Sequence, residues 1–403
     1  MQSEIVGFNP AQLIFAPMIK DAMNMRVLIV GAGIGGLTLA ALLRRWNVQP
    51  DLIDRAPNFD HAGYMLGLYP LGSRILHGLG AFDAFVAASE PMDYYAVANG
   101  KGEVINRYEL GVVTDRFGPI RQLSRGELLG LLAAAAGKPP VRMGVGITGI
   151  EQQGNEVLAR TSDGETRRYD LVVGADGLHS RVRRLVFGES PTFDTGWGGW
   201  VWWADHGLVP HDTVTEYWGA GRFLGVYPTQ RRIGIVACGP VKDMDPNDRA
   251  GRRERILHHF AALEGKAGAI LHSLPGDEEE LFFWPLADQR AASWVKGRVV
   301  LLGDAAAAFL PTAGIGASMA MESAAVLADE LSRADAEHLD YPLGFYETRR
   351  RKRVEAAQND SRHMARMMFI ETVPLAWGRD QALKFYSLDQ LVKQIAKIFE
   401  QPI

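Results

Sequence analysis

The chain contains a single cysteine, Cys238, in the stretch RRIGIVACGP. One thiol forms no internal disulfide and no cysteine-rich metal site, and such sparing use fits a reducing, cytoplasmic setting. Its neighbours read as a strand, so a buried, inert thiol is expected. No window approaches about 18 consecutive apolar residues, so no membrane-spanning helix is expected. No strongly basic domain exists either: the formal net charge is -4, which argues against nucleic acid as the main partner. The histidines lack HxxxH-type spacing with an acid, and no metal site is expected. The first 24 residues lack the basic start and unbroken apolar stretch of a secretory signal: Glu4 comes early, and Asn9, Pro10 and Pro17 interrupt the run. They read as a flexible extension or a misplaced start, with Met23 and Met25 as alternative first residues.

The rest has the make-up of a globular protein, 47% hydrophobic and 22% charged. Its 403 residues are enough for about two or three domains around a large core. The most informative stretch is VLIVGAGIGGLTLAALLRR, residues 27 to 45. A short β-branched run reads as a buried parallel strand. Gly31 permits the tight turn, Gly33 a close backbone approach to a pyrophosphate, and Gly36 close packing of helix on strand. The helix start offers free N–H groups and partial positive charge to phosphates. QPDLIDRAP then gives a second strand ending in Asp54, about 20 residues on, where a carboxylate accepts from an adenosine ribose. A glycine turn alone is a weak signal; strand, turn, helix, strand and acid in register is a strong one.

Two later segments narrow the nucleotide. In RRYDLVVGADGLHSRVRRLVFG a strand ends in Asp176-Gly177, followed by His179, Ser180, Arg181 and Arg183. In WVKGRVVLLGDAAAAFLPTAGIGASMAMESAAVLADEL a strand ends in Asp304, and Gly314 and Gly316 open a long Ala-rich helix. An acid there suits a ribityl hydroxyl, and the helix start suits an electron-rich flavin carbonyl.

With GAGIGG and Asp54, GADGLHSRVR, and GDAAAAFLPTAGIGA in this order, the chain resembles the single-component FAD-dependent aromatic hydroxylases, flavoprotein monooxygenases of the para-hydroxybenzoate and salicylate hydroxylase type. The likeness spans residues 26 to about 355. It implies an α/β fold: a Rossmann-like FAD-binding domain with an inserted antiparallel β-sheet substrate domain and C-terminal helices. It also implies tightly bound, non-covalent FAD, with NAD(P)H as a transient co-substrate. Gly31, Gly33, Gly35 and Gly36 would line the pyrophosphate, and Asp54 with Arg55 would hold the adenosine end. Arg125, in LSRGELLGLL, matches the family arginine that opens a helix beside FAD. Asp176 and Gly177 would serve FAD and NAD(P)H, and Asp304 the ribityl–pyrophosphate region. Pro311, Gly314, Gly316 and Ala317 would lie near the isoalloxazine. The chain departs from the family at Ala307-Ala308, where a His-Pro pair is usual, and at Ile315, Ser318 and Ser323, where Gln, Asn and Asp are typical.

The expected organisation is a flexible 1–24; FAD-binding segments 25–90, 121–190 and 292–355; a substrate sheet from 91–120 and 191–291; and a helical 356–403. GAGRFLG at 219–225 mimics a dinucleotide loop, but VYPT follows instead of a helix, so it reads as a hairpin turn. LDQLVKQIAKIFE puts Leu388, Leu391, Val392, Ile395 and Ile398 on one helical face. RRRKR at 349–353 reads as a solvated helix face.

In the reaction the resemblance implies, NAD(P)H reduces FAD, O2 adds to give a C4a-hydroperoxide, and one oxygen atom passes to an aromatic or polycyclic substrate. The residue that activates substrate is left open among His61, Tyr64, His206, Tyr217 and Tyr227. Trp197, Trp200, Trp202 and Trp203 form either sheet core or an aromatic wall for substrate. The segment is similar to the WxWxIP signature of flavin-dependent halogenases, but Ala204-Asp205 replace the Ile-Pro, so halogenation is not expected. Two other classes stay open: an FAD dehydrogenase or reductase that does not use O2, and a non-catalytic flavin-binding protein. Substrate, nicotinamide preference and oligomeric state, monomer or homodimer, are not legible.

Overall fold

The computed structural model describes residues 25–59, 63–137, 140–207, 209–244, 247, 251–263, 265–276, 281–388, 390 and 399–400. The extension 1–24, the candidate His61, and Leu391, Val392, Ile395 and Ile398 lie outside the described residues. Among those described, no helix is long and apolar enough to cross a membrane.

Two sheets dominate. The first has six strands in the order Val295–Lys296, Val299–Leu301, Leu171–Gly174, Val27–Val30, Asp51–Asp54, Val141–Met143. All pairs are parallel except the first. Val27–Val30 and Leu171–Gly174 are buried throughout, which is why they read as continuous apolar runs and not as alternating ones. Parallel strands put their carboxyl ends on one edge. The residues that follow them, Gly31, Asp54-Arg55 and Ala175-Asp176, therefore meet there, and so does the turn at Gly303-Asp304.

The second sheet has eight strands, from Ala307–Ala308 through Phe282–Arg290, Thr192–Ala204, Ile233–Pro240, Arg222–Pro228, Thr213–Gly219 and Tyr94–Asn99 to Val104–Glu109. It is antiparallel apart from the pair Thr213–Gly219 with Tyr94–Asn99. Gly219 pairs with Arg222, so GAGRFLG is a hairpin. Segments read as strands and turns also carry the helices Gly111–Phe117, Arg252–His259 and Gly265–Leu271. The last two cover one face of the sheet.

That cover settles the tryptophans. Trp200 and Trp202 share a buried cluster with Ile256, Phe260, Ile270 and Leu271, and the Trp202 indole donates to Ser273 Oγ at 3.1 Å. Trp197 faces the other way and stacks on Phe369, ring centroids 4.5 Å apart. These three are core, whereas Trp203 is half-buried and its indole donates to Gly63 O at 3.2 Å; none of the four lines the cavity described below.

Helix Asp340–Met368 runs 29 residues, so the expected boundary at 355 falls inside it. It also overturns the solvated reading of RRRKR. Arg350 and Arg353, three apart, share one face. Arg350 is fully buried and Arg353 is 9% exposed. Both meet Glu322 of helix Gly316–Leu331: Arg350 Nη1 lies 2.6 Å from Oε2, and Arg353 Nε donates to Oε2 at 2.9 Å and Nη2 to Oε1 at 3.0 Å. Burial opposes the charge of Glu322, but the two guanidinium groups outweigh it and hold the carboxyl below its usual range.

Removing that charge takes the shared carboxylate away from two buried guanidinium groups. Glu322→Gln is expected to cost about 3–5 kcal/mol in denaturant unfolding. The contribution of Glu322 is complete above the ordinary carboxylate pKa and is lost as pH falls through its lower folded value. The penalty should therefore shrink in acid; an unfolding midpoint unchanged at neutral pH would contradict this.

Candidate active site

The carboxyl edge of the parallel sheet opens into a cavity of about 700 Å³ that reaches the eight-stranded sheet. The glycine turn lies at one end. Gly31 adopts φ +110°, and a Cβ there would meet Ala175 O at 2.3 Å. A Cβ on Gly36 would meet Gly31 O at 1.9 Å. Gly36 therefore packs helix Ile34–Arg45 against its strand and, unlike Gly31, Gly33 and Gly35, does not line the cavity. Gly33 differs: the nearest group to its Cβ position is the Arg125 guanidinium, 4.0 Å away. The helix that begins here has no side-chain cap, so its first N–H groups stay free.

Arg125 is the first residue of helix Arg125–Ala135, where Ser124 and Glu127 form a capping box. A cation in the first turn opposes the helix dipole. Helix stability therefore does not account for its place there. Asp54 Oδ2 accepts from Ala32 N at 2.7 Å and Oδ1 from Ala56 N at 2.8 Å, which fixes the carboxylate and leaves each oxygen a further acceptor site. Arg55 lines the same end. Asp176 accepts from Arg181 N at 2.6 Å, Val182 N at 3.2 Å and Ser180 Oγ at 2.5 Å, so it anchors helix Arg181–Val186 while facing the cavity beside Gly177. Arg183 ties this loop to the next, donating to Leu178 O at 2.6 Å and Ala305 O at 2.8 Å.

Asp304 is enclosed by the fold on all sides but one, where it is exposed to the open cavity. Burial pushes its carboxyl up to about 6, opposed by the Arg125 charge. Beyond it, Pro311, Gly314, Gly316 and Ala317 form the wall. Gly314, at φ +62°, ends the short turn Pro311–Ala313, and helix Gly316–Leu331 starts behind it without a side-chain cap. Ser318 Oγ accepts from Tyr69 N at 3.3 Å, and Ala307–Ala308 pairs with Gln289 and Arg290 as an edge strand. These departures from the expected pattern serve packing.

The far end is built by the second sheet and by helix Asp340–Met368. Tyr64 lines it, its ring 4.5 Å from that of Trp284. Tyr227 also lines it. Tyr217 does not: alternation along Thr213–Gly219 turns it into the opposite core, and turns Val214 and Glu216 toward the cavity. His206 lies away from the cavity, its Nε2 3.0 Å from Gln230 O. The residue missed from the sequence is Glu216. It is buried and takes three hydrogen bonds, from Tyr95 Oη at 2.6 Å, Trp218 Nε1 at 3.0 Å and Tyr227 Oη at 2.9 Å. Burial raises its carboxyl and the three donors oppose the rise. Burial, then Glu216, pushes both phenols well up, so each keeps its proton to donate. The signal available was an acid at alternate spacing with Val214 and Trp218, on an otherwise apolar face of the strand.

Residues 24–361 match the family described as FAD binding domain, and the chain belongs to that family. It is an FAD-dependent monooxygenase, an oxidoreductase. It is 29% identical over 374 residues to aurachin C monooxygenase/isomerase of Stigmatella aurantiaca, covering 91% of this chain and 96% of that one. It is 28% identical over 358 residues to 6-hydroxynicotinate 3-monooxygenase of Pseudomonas fluorescens, covering 84% and 91%. In fold it matches Klebsiella pneumoniae HpxO complexed with FAD and uric acid, with a TM-score of 0.86 at 24% identity over 93% and 97% of the two chains.

The raised carboxyl of Asp304 has a consequence for the FAD-free protein. A group that binds its proton more tightly when folded stabilises the fold below its unfolded pKa, and that stability is lost as pH rises through about 6. Asp304→Asn should therefore unfold at a higher temperature than the FAD-free parent at pH 7, with the gap narrowing at pH 5 (about one unit below that value). A gap of constant size across this range would contradict the assignment.

Proposed function

We propose that FAD lies along this cavity, with its pyrophosphate at Gly31, Gly33 and Arg125 and its adenosine at Asp54 and Arg55. Asp176 and Gly177 stand beside the phosphates, Asp304 takes a ribityl hydroxyl, and the ring lies against Pro311 to Ala317. The observation that carries this reading is the open space at Gly33, bounded by an uncapped helix start and the Arg125 cation. On this reading the segments around the parallel sheet form the FAD-binding unit and the eight-stranded sheet covers the substrate.

Bound FAD supplies hydride acceptance from NAD(P)H and activation of O2, so that one oxygen atom enters an aromatic substrate and the other leaves as water. The protein's part is to hold, orient and dry the site. The start of helix Gly316–Leu331 presents free N–H groups to an electron-rich edge of the ring. Tyr69, Tyr64, Trp284, Leu310 and Phe369 wall the far end with apolar and aromatic surface, suited to a flat substrate and to exclusion of water.

Two measurements test the reading. With labelled O2 and NAD(P)H, an accepted aromatic compound should gain one labelled oxygen per nicotinamide oxidised; product without label, or nicotinamide oxidised only to peroxide, would contradict it. Arg125→Ala, which removes one charge-assisted contact, should weaken FAD binding by about 10- to 100-fold with the fold intact; unchanged FAD affinity would contradict the placement.

A further inference from the structure

The charges lining the cavity are segregated. Every described cation on its wall, Arg55, Arg125, His179, Arg181 and Arg184, belongs to loops and helix starts at the nucleotide end. The surface supplied by the eight-stranded sheet and helix Asp340–Met368 has no Arg, Lys or His among the described residues. Its charged groups are Glu216 and Asp360, both acidic.

Glu216 is also unsaturated in one place. A carboxylate offers about four acceptor sites, two on each oxygen. Oε2 takes Tyr95 and Trp218, whereas Oε1 takes only Tyr227. Tyr95 and Tyr227 donate to Glu216, so their hydroxyl oxygens face the cavity as acceptors. Gln122 is the other polar side chain nearby; it is buried, and its Oε1 has no hydrogen-bond partner within the protein. Tyr69 connects this group to the ring-side loop: a Cβ on Gly314 would lie 3.4 Å from its hydroxyl. At this end Glu216 Oε1 and Gln122 Oε1 offer open acceptor positions, and no cation stands beside them, in a wall that is otherwise apolar and aromatic.

We infer that Glu216 is the specificity-determining residue of the substrate pocket: its Oε1 accepts a hydrogen bond from a ring N–H or hydroxyl of a neutral aromatic heterocycle, and its charge excludes aromatic carboxylates. A carboxylate beside Glu216 would meet like charge in a buried setting with no cation to offset it. The relative named for 6-hydroxynicotinate acts on a carboxylated ring, so this assignment separates the chain from part of its own family. It rests on the reading of the far end as the substrate pocket.

The test uses the FAD-loaded full chain and three probes of one ring size: 4-quinolone with its ring N–H, the N-methyl derivative that lacks the donor, and kynurenate, the same ring with a carboxylate. Binding is read from the perturbed flavin spectrum and from titration calorimetry. The parent is expected to bind 4-quinolone about tenfold or more tightly than either of the others. In Glu216→Gln the penalty against kynurenate should shrink by about tenfold, with the flavin spectrum reporting an intact fold. Kynurenate bound as well as 4-quinolone by the parent, no binding of any probe, or a ratio unmoved in Glu216→Gln would each overturn the inference. Should the variant fail to fold, the three-probe comparison on the parent decides alone. The expected preference in binding, without oxygenated product from any probe, would uphold the role of Glu216 and count against the monooxygenase reading of the site.

Discussion

The buried Glu322 carboxylate, clasped by Arg350 and Arg353, is the contact on which the geometry of the site depends. It joins the two helices that carry opposite walls of the cavity. Gly316–Leu331 presents its uncapped start to the ring side. Asp340–Met368 contributes Asp360, Met364 and Met368 to the far end. Two cations on one anion are held in place here because Ser323 Oγ accepts from Arg350 Nε at 3.2 Å and the three side chains are walled by protein. A buried pair of this kind adds little net stability but fixes register, since any slip strands a charge. The same long helix is tied to the parallel sheet by Tyr346, whose hydroxyl donates to Leu301 O at 3.0 Å.

From this frame the site follows as a division of labour between two sheets. The parallel sheet delivers backbone: glycine turns, helix starts and strand-end acids that meet on one edge because parallel strands end together. The eight-stranded sheet delivers side chains at a spacing of two, so one face becomes core with its covering helices and the other becomes cavity wall. Cations gather where phosphates are expected, and acceptors gather where a substrate is expected. Arg125 sits at a helix start where its charge is unfavourable to the helix, and the proposed FAD pyrophosphate would give that charge a partner.

The parts legible in the sequence were those fixed by local chain chemistry. The glycine turn with Asp54, the strand ends at Asp176 and Asp304, and the helix behind Gly314 each combine a periodic pattern with a conformational need. The hairpin at GAGRFLG was legible for the same reason. The parts that were not legible depend on which face of an element meets a distant partner. RRRKR has the composition of a solvated surface, and only the packing of Glu322 opposite shows that Arg350 and Arg353 point inward. Tyr217 and Glu216 are adjacent, so a one-residue error in facing exchanges a core tyrosine for the cavity acid. Trp200 and Trp202 of GWGGWVWWADHG became core because helices Arg252–His259 and Gly265–Leu271 cover them, and that cover was not readable from a segment taken as strands and turns. Gly36 carried two readings: its spacing in the glycine turn gave the packing of helix on strand that the structure has, while the resemblance also set it at the pyrophosphate, and it does not line the cavity.

The central claim is that one cavity orders FAD from the glycine turn to the start of helix Gly316–Leu331 and leaves the Glu216 end for substrate. A crystal structure of the FAD-loaded protein tests it most directly. The account predicts pyrophosphate density between Gly33 and Arg125, adenosine against Asp54, and the flavin ring beside Gly314 to Ala317 with open space toward Glu216. Flavin density filling the Glu216 end, or a pyrophosphate away from Gly33 and Arg125, would contradict it.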